Sequence, residues 1–275
     1  MRILHLSDTH LTRAAGPNAD GIDPRESLAG LLRDCGQLTG LDAVLVTGDI
    51  ADDGSAEAYA AVHALVEPFA TERGIPALYT TGNHDDRKPF TDTLGVPLTA
   101  VTVIKGHRVV TLDSLVPGQV YGHLDDEQLA WLRTVLATPA PEGTLLAFHH
   151  PPIGLDTAVQ HTLGLINPGD LAEAIRGTDV RLILTGHFHL QLFGLLGGVP
   201  TWVTPGVVNR FDLTGPAGGE RAVRGASATL VDLGGPQSPR LHVLHARDPQ
   251  AGQVAHEIDA GTMAGLIDRW RPPRR

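Results

Sequence analysis

Five apolar runs of the chain each end in a short polar stretch that carries aspartate, asparagine or histidine. These stretches read SDTH (7–10), GDI (48–50), GNHDD (82–86), FHHPP (148–152) and GHFH (186–189). The runs before them are short and continuous, which is typical of buried strands. Their polar ends hold side chains that bind metals or transfer protons. A fold that explains this pattern must bring the five strand ends together.

Helical patterns lie between the apolar runs, so the order of elements predicts an α/β fold. Strands are predicted at 2–7, 42–50, 75–86, 143–152 and 180–189, with two more around a glycine turn within 100–114. Helices are predicted at 24–38, 55–70, 125–138 and 170–178. Short β-rich segments follow to about residue 246. We expect one domain over residues 1–248 and a partly flexible C-terminal extension over 249–275.

Charge and composition argue against several classes of protein. The net charge of −10 argues against a nucleic-acid polymer as partner, because such binding depends on phosphate neutralisation. Apolar runs stay short of the about 18 residues that a membrane span needs. The first residues lack the pattern of a secretory signal. The single cysteine, Cys35, suits a reducing compartment, so we expect a cytoplasmic protein without a membrane span.

The polar stretches contain the donor atoms of a metal site. In open α/β sheets, ligands bind beyond the carboxyl ends of the strands. Carboxylate, amide and imidazole donors without thiolates suit zinc, manganese, iron or cobalt better than calcium or magnesium. His187 and His189 are two residues apart, so on a continuing strand both would point to one face. Asp8 and His10 have the same spacing.

The five blocks, in this order, resemble the calcineurin-like metallophosphoesterase superfamily over residues 8–189. Three longer stretches are similar to bacterial class III cyclic-nucleotide phosphodiesterases: GDIADDGSAEAY, GNHDDR and LDSLVPGQVYGHLDDEQLAWL. The resemblance implies a four-layer α/β/β/α sandwich of two mixed sheets flanked by helices. It also implies a dinuclear metal centre and allows a homodimer.

The resemblance assigns residues to that centre. Asp8, His10 and His189 would hold one metal ion, Asn83, His149 and His187 would hold the other, and Asp49 would bridge them. The ions would be iron, manganese, zinc or cobalt, and a metal-activated hydroxide would attack a phosphodiester. His84 would contact the phosphate and aid the leaving oxygen. Asp85 would accept a hydrogen bond from His84 and fix its tautomer.

Other polar residues near the blocks have simpler interpretations. His150 follows a ligand on the predicted strand, so we expect it to support the site or the fold. Asp52, Asp53 and Asp86 are expected to cap turns or face solvent. Arg87 could touch phosphate or form a surface ion pair, and His161 could line the pocket. Asn209 and Arg210 could approach a substrate.

Three functions remain open at this level. The leading hypothesis is a phosphodiesterase acting on small phosphodiesters, with 3′,5′-cyclic nucleotides such as cAMP as substrates. A broad-specificity phosphodiesterase or phosphomonoesterase would use the same centre, and residues near 157–165 and 205–225 would distinguish the two. Aromatic residues are only 4% of the chain, and no cluster of them is evidently built to stack a base. A non-catalytic metal-binding module is the third hypothesis.

Overall fold

Two stacked β-sheets with helices on both outer faces form the body of the protein. We describe a computed structural model, and the structure describes residues 1–272. Within them the strands are β1 (Arg2–Leu6), β2 (Ala43–Thr47), β3 (Ala77–Thr80), β4 (Ala100–Ile104), β5 (His107–Thr111), β6 (Thr144–Ala147), β7 (Val180–Thr185), β8 (Leu192–Leu196), β9 (Val199–Val203), β10 (Arg210–Phe211), β11 (Glu220–Val223), β12 (Ser227–Asp232), β13 (Arg240–His245) and β14 (Val254–Ile258). The helices are α1 (Pro24–Asp34), α2 (Ala56–Thr71), α3 (Arg87–Leu94), α4 (Asp126–Leu136), α5 (Ala158–Leu163), α6 (Pro168–Ala174) and α7 (Ala260–Trp270), and a short 3-10 turn follows α1 at Cys35–Gln37.

Both large sheets are mixed. The first has the strand order β13-β12-β1-β2-β3, in which β1, β2 and β3 are parallel. The second has the order β4-β5-β6-β7-β9-β8, in which β5, β6, β7 and β9 are parallel. Five of these parallel strands, β1, β2, β3, β6 and β7, lead into the polar blocks.

Three apolar layers hold the sheets and helices together. Alternate residues of β1 and β2, such as Leu4 and Val46, pack under α1, α2 and α3. The intervening residues, such as Ile3, meet Leu145 and Leu184 of the second sheet. On the far side of that sheet, Ile183 and its neighbours pack under α4 and α6. Burial on both faces explains the uninterrupted apolar strands, and the four layers confirm the predicted fold class.

A third, smaller sheet has the order β10-β11-β14. Its last strand and α7 come from the segment predicted as a C-terminal extension. β14 pairs with β11, and α7 contacts α5. The domain boundary at residue 248 stays a prediction, and residues 273–275 of the predicted extension lie outside the described residues. No helix among the described residues is long and apolar enough to cross a membrane.

The strands end earlier than the sequence pattern predicted. β3, β6 and β7 stop at Thr80, Ala147 and Thr185, whereas the patterns were continued to residues 86, 152 and 189. The polar blocks therefore lie in loops just beyond the strands. The expectation that strand alternation directs the side chains of His187 and His189 is wrong, because neither residue lies on a strand.

Candidate metal centre

The candidate centre lies where the carboxyl ends of the parallel strands meet. The first sheet supplies the loops after β1, β2 and β3, and the second supplies the loops after β6 and β7. Seven predicted ligands occupy these loops: Asp8, His10, Asp49, Asn83, His149, His187 and His189. Neither sheet alone carries the whole set, so the centre depends on their stacking.

An unusual backbone conformation places most of these side chains. Asp8, His10, Asp49, His187 and His189 have φ values of 56°, 48°, 46°, 70° and 49°. Among the described residues, Lys105 is the only other non-glycine residue with positive φ. Such left-handed residues cost of order 1–3 kcal/mol each and concentrate at functional sites. The loops after β1, β2 and β7 thus turn at their ligand residues, and there the backbone conformation rather than strand alternation directs the side chains.

Two glycines allow the loops to approach closely. A Cβ on Gly186 would overlap the Ser7 hydroxyl and would lie 2.8 Å from an oxygen of Asp8. A Cβ on Gly82 would overlap the backbone nitrogen of Asp49. Both glycines directly precede a ligand, and both are required because atoms of a neighbouring loop occupy the space that a side chain would need.

The first group of donors consists of Asp8, His10 and His189. Their ligand atoms lie within 4.8 Å of one another, and Nε2 of His189 is 3.4 Å from Oδ1 of Asp8. The N–H of His187 donates to both carboxylate oxygens of Asp8, at 3.1 and 3.0 Å. This group matches the set that the sequence resemblance assigned to one metal ion.

The second group surrounds Asp49. Its Oδ2 lies 3.2 Å from Nε2 of His149 and 3.7 Å from Nε2 of His10. Its Oδ1 accepts the N–H of His84 at 2.9 Å. Nε2 of His149 in turn lies 3.1 Å from Nδ1 of His187. Asp49 therefore stands between the two groups of imidazoles, which is the position that a bridging carboxylate needs.

Buried donor atoms without partners test whether metal ions fit here. Nε2 of His10, Oδ1 of Asn83 and Nε2 of His187 are buried and make no hydrogen bond. Leaving such an atom unsatisfied costs about 1–3 kcal/mol. The amide oxygen of Asn83 has a free lone pair, and each imidazole Nε2 has one when it carries no proton. A cation would therefore satisfy all three atoms. The donors are nitrogen and oxygen, which suit borderline divalent metals.

Electrostatics divides the histidines into two types. Burial, and then the charge of His149, lower the pKa of His187 to about 3. Burial opposes the charged form of His149, but the charge of Asp49 and its hydrogen bond, together with the charge of Asp8, raise the pKa of His149 to about 9. Burial also opposes ionisation of Asp8, whereas the charge of His189 lowers its pKa to about 2. Without a cation, the carboxylates hold a proton on His149 at neutral pH.

Hydrogen bonds fix the orientation of three imidazoles. Nδ1 of His149 donates to the Thr47 carbonyl at 2.7 Å, which directs Nε2 towards Asp49. Oδ1 of Asn209 lies 2.5 Å from Nδ1 of His189, and Oδ1 of Asp52 lies 2.9 Å from Nδ1 of His10. Partners of this kind set the tautomer and ring orientation of metal-binding histidines.

His84 lies at the open side of the centre. Its side chain is 41% exposed, and its ring meets that of His10 edge to face with centroids 4.8 Å apart. Nδ1 lies 3.1 Å from the carbonyl oxygen of Asp52 and 3.2 Å from its Oδ1. Burial lowers the pKa of His84, but the charges of Asp49 and Asp52 prevail and raise it to about 10. His84 therefore presents a protonated ring to solvent at neutral pH.

The expected partner of His84 is a different residue. Asp85 does not hydrogen-bond to the His84 ring but accepts the N–H groups of Ile50, Ala51 and Gly82, at 3.2, 2.9 and 2.7 Å. It points back into the loop because those three amides need an acceptor. Burial and the charge of Asp49 raise its pKa to about 7. Asp52, which was expected to cap a turn or face solvent, makes the contacts that were predicted for Asp85.

His150 is buried beside the centre. Its Nδ1 lies 2.8 Å from the Ser114 hydroxyl, and its ring is 4.7 Å from that of His187. Nε2 of His150 is buried without a partner, and a ligand atom of His150 lies within 4.8 Å of those of His149 and His187. The bond to Ser114 is consistent with the supporting role that we predicted.

The remaining polar residues lie away from the donors. Arg87 donates to Asp113 at 2.6 Å, Asp86 caps α3, and His161 is exposed against Asp156. Asp53 accepts from Ser55 near the start of α2. The contacts of Asp52 and Asn209 gave no sequence signal, because both lie outside the blocks and reach the histidines only through loop conformation.

Comparison with known proteins places these residues in a family. The family model described as calcineurin-like phosphoesterase matches residues 1–191. A Rhodococcus erythropolis protein named "Probable cyclic nucleotide phosphodiesterase" is 41% identical over 234 residues, which cover 82% of this chain and 76% of that protein. A Mycobacterium tuberculosis protein named as a cAMP/cGMP dual specificity phosphodiesterase is 42% identical over 234 residues, covering 82% and 73%.

A solved structure shares the fold. Purple acid phosphatase PPD1 from yellow lupin superposes with a TM-score of 0.56 at 15% identity. The match covers all of this chain but only 56% of that protein, so this chain spans little more than half its length. At this identity the similarity supports the fold alone.

We predict that Gly186→Ala destabilises the protein by about 1–3 kcal/mol, because overpacking must displace Ser7 or Asp8. Gly265→Ala in α7 is the matched control, since its Cβ would meet nothing within 4 Å and alanine favours a helix. Urea unfolding of the metal-free proteins measures the free energy of unfolding of both variants. Equal stability of the two variants would contradict the close approach at Gly186.

We also predict that metal binding at pH 7 releases protons. His149 is protonated there because its pKa is about 9, and it must lose that proton to offer Nε2 to a cation. Apparent affinity should therefore fall as the pH is lowered from about 9. Calorimetric titration with Mn²⁺ in two buffers of different protonation enthalpy measures the number of protons released. This number should decrease in His149→Asn. Identical heats in both buffers would contradict this electrostatic account.

Proposed function

The chain belongs to the calcineurin-like phosphoesterase family, and from this premise we propose that it is a metal-dependent phosphodiesterase acting on 3′,5′-cyclic nucleotides such as cAMP. The observation that carries the proposal is the convergence of carboxylate, amide and imidazole donors from both sheets around Asp49. The names of the two bacterial relatives support a cyclic nucleotide as the substrate.

We assign seven residues to a pair of metal ions. Asp8, His10 and His189 would hold one ion, Asn83, His149 and His187 would hold the other, and Asp49 would serve both. When bound, two cations polarise phosphate oxygens and lower the pKa of a bound water from 15.7 towards roughly 7. The donor set favours iron, manganese, zinc or cobalt.

The residues around the ions keep the donors in place. The His84 N–H fixes one oxygen of Asp49 and leaves Oδ2 directed at His149 and His10. The His187 N–H restrains both oxygens of Asp8. A carboxylate held in this way neither swings out nor needs to reorganise when substrate binds, which is the advantage of a preorganised site.

His84 is the proposed acid. It is the exposed histidine beside the shared carboxylate, and the charges of Asp49 and Asp52 keep it protonated at neutral pH by raising its pKa. Its ring can donate a hydrogen bond to a phosphate oxygen and a proton to the leaving ribose oxygen. Asp52 orients the ring through Nδ1. We propose that Asp52, rather than Asp85, takes this orienting role.

The proposal extends to location and assembly. Cys35 is the single cysteine and is buried, which favours a reducing cytoplasm. A homodimer is supported by Phe193 and Leu195, which are 57% and 60% exposed on the edge strand β8. Exposed apolar edge strands are common sites of pairing between chains.

His84→Ala should retain the metal ions but lower kcat by at least about a hundredfold, because the proton donor is lost. Asp49→Asn should lose the metal ions. Turnover of cAMP and metal content by mass spectrometry distinguish the two effects. His161→Ala is the matched control, since this exposed histidine lies away from the centre and should leave both unchanged. Full turnover in His84→Ala would contradict its role as the acid.

A substrate panel tests the function itself. We expect the Mn²⁺-loaded protein to hydrolyse cAMP, cGMP and bis(p-nitrophenyl) phosphate faster than the monoester p-nitrophenyl phosphate. Protein stripped of metal by a chelator should be inactive and should recover on adding Mn²⁺. Faster monoester turnover would favour a phosphomonoesterase, and full activity of stripped protein would reject the mechanism.

A further inference from the structure

A cavity of about 290 Å³ lies beside the candidate centre. Residues of α5, the 211–221 segment and Ile267 of α7 line it. These residues belong to the two segments that the sequence pointed to as determinants of substrate choice, and the fold brings both segments to one space. Leu213 and Ala217 are exposed on its wall, so the cavity is reached from solvent.

Two aromatic residues connect the cavity to the centre. The ring of Phe211 stacks on that of His189 with centroids 5.2 Å apart and an interplanar angle of 17°. The Phe211 N–H also donates to the His189 carbonyl at 3.1 Å. Phe188, between two proposed ligands, packs in the same apolar cluster as Phe211. Both phenylalanines line the cavity. A group in contact with Phe211 is therefore separated from the proposed ligand His189 only by the Phe211 ring.

The chemistry of the walls excludes a phosphate and favours a flat neutral group. The lining is mostly apolar, with Leu163 and Leu190 beside the two phenylalanines. Arg221, the lining cation, already contacts Asp212 at 3.2 Å and Glu257 at 2.5 Å. Its charge is therefore compensated and is not available to a phosphate.

One polar side chain in the wall retains hydrogen-bonding capacity. Oε1 of Gln160 accepts the N–H of Leu155 at 2.6 Å, and its Nε2 makes no hydrogen bond within residues 1–272. Gln160 is 92% buried, since its exposure is 8%. An amide that can still donate from an apolar wall matches the ring nitrogen acceptors of a purine.

We propose that this cavity is the base-binding subsite, in which the base of a cyclic nucleotide stacks on Phe211 while its phosphate lies at the metal centre. The inference rests on the proposed function and specifies where its substrate specificity arises. Stacking on an aromatic side chain suits any base, and Gln160 adds a donor for a purine. The pocket thereby distinguishes nucleotides from phosphodiesters that lack a base.

The test compares cAMP with ribose 3′,5′-cyclic phosphate, the same diester without its base, on the Mn²⁺-loaded protein. Ala217→Trp fills the cavity and should raise the KM for cAMP by roughly tenfold, without changing kcat/KM for the base-free diester. Ala264→Trp is the matched control, because Ala264 is exposed on α7 and does not line the cavity. This variant should change neither the KM for cAMP nor kcat/KM for the base-free diester.

Phe211→Leu is a second variant in case the tryptophan disturbs folding. It keeps the wall apolar but removes the ring, and it should also raise the KM for cAMP by roughly tenfold. Metal content is measured alongside, because Phe211 contacts His189. Unchanged metal content with a selective loss for cAMP supports the subsite.

The outcomes separate the two proposals. If the wild-type protein hydrolyses both diesters and each variant affects them equally, or affects neither, the subsite is overturned and the phosphodiesterase activity stands. If the wild-type protein hydrolyses neither diester, the proposed function fails and the subsite fails with it.

Discussion

The bond between the His187 N–H and the Asp8 carboxylate joins the two sheets at the candidate centre. Its partners are 179 residues apart in the chain, and Asp8 is completely buried. The bond from Nδ1 of His149 to the Thr47 carbonyl makes a second such connection. Ligands on the first sheet are thus placed by groups on the second. The site depends on the stacking of the sheets, and the apolar layer between them is part of its architecture.

The centre is costly to form without a cation. Five residues in left-handed conformations, buried carboxylates in close proximity and donor atoms without partners all raise the free energy of the folded state. The cores on both sides of each sheet offset this cost. Strain and unsatisfied groups gathered at one place are the usual mark of a site whose geometry serves function rather than stability.

Much of the fold followed from local patterns in the sequence. Continuous apolar runs predicted the parallel strands, because strands covered on both faces have no polar side. The helices at α1, α2 and α4 followed from apolar spacing and capping residues. The last strand, β14, and α7 were not predicted; no residue of β14 is fully buried, so its apolar pattern is weak.

The details of the candidate site were less predictable. The residue blocks and a family resemblance indicated which side chains converge, but the direction of each side chain came from loop conformations that leave no periodic pattern. For this reason the contact with the His84 ring was predicted for Asp85, whereas Asp52 makes it. Phe211 also gave no signal, because an isolated aromatic residue in a loop acquires its meaning only when the third sheet brings it against His189.

The central claim is that two cations share Asp49. It is tested most directly by a crystal structure of the protein soaked or grown with Mn²⁺, with anomalous scattering to locate the ions. Our account predicts two anomalous peaks roughly 3.5–4 Å apart on either side of Oδ2 of Asp49, the oxygen that faces both His149 and His10. A single peak, or peaks away from Asp49, would contradict it.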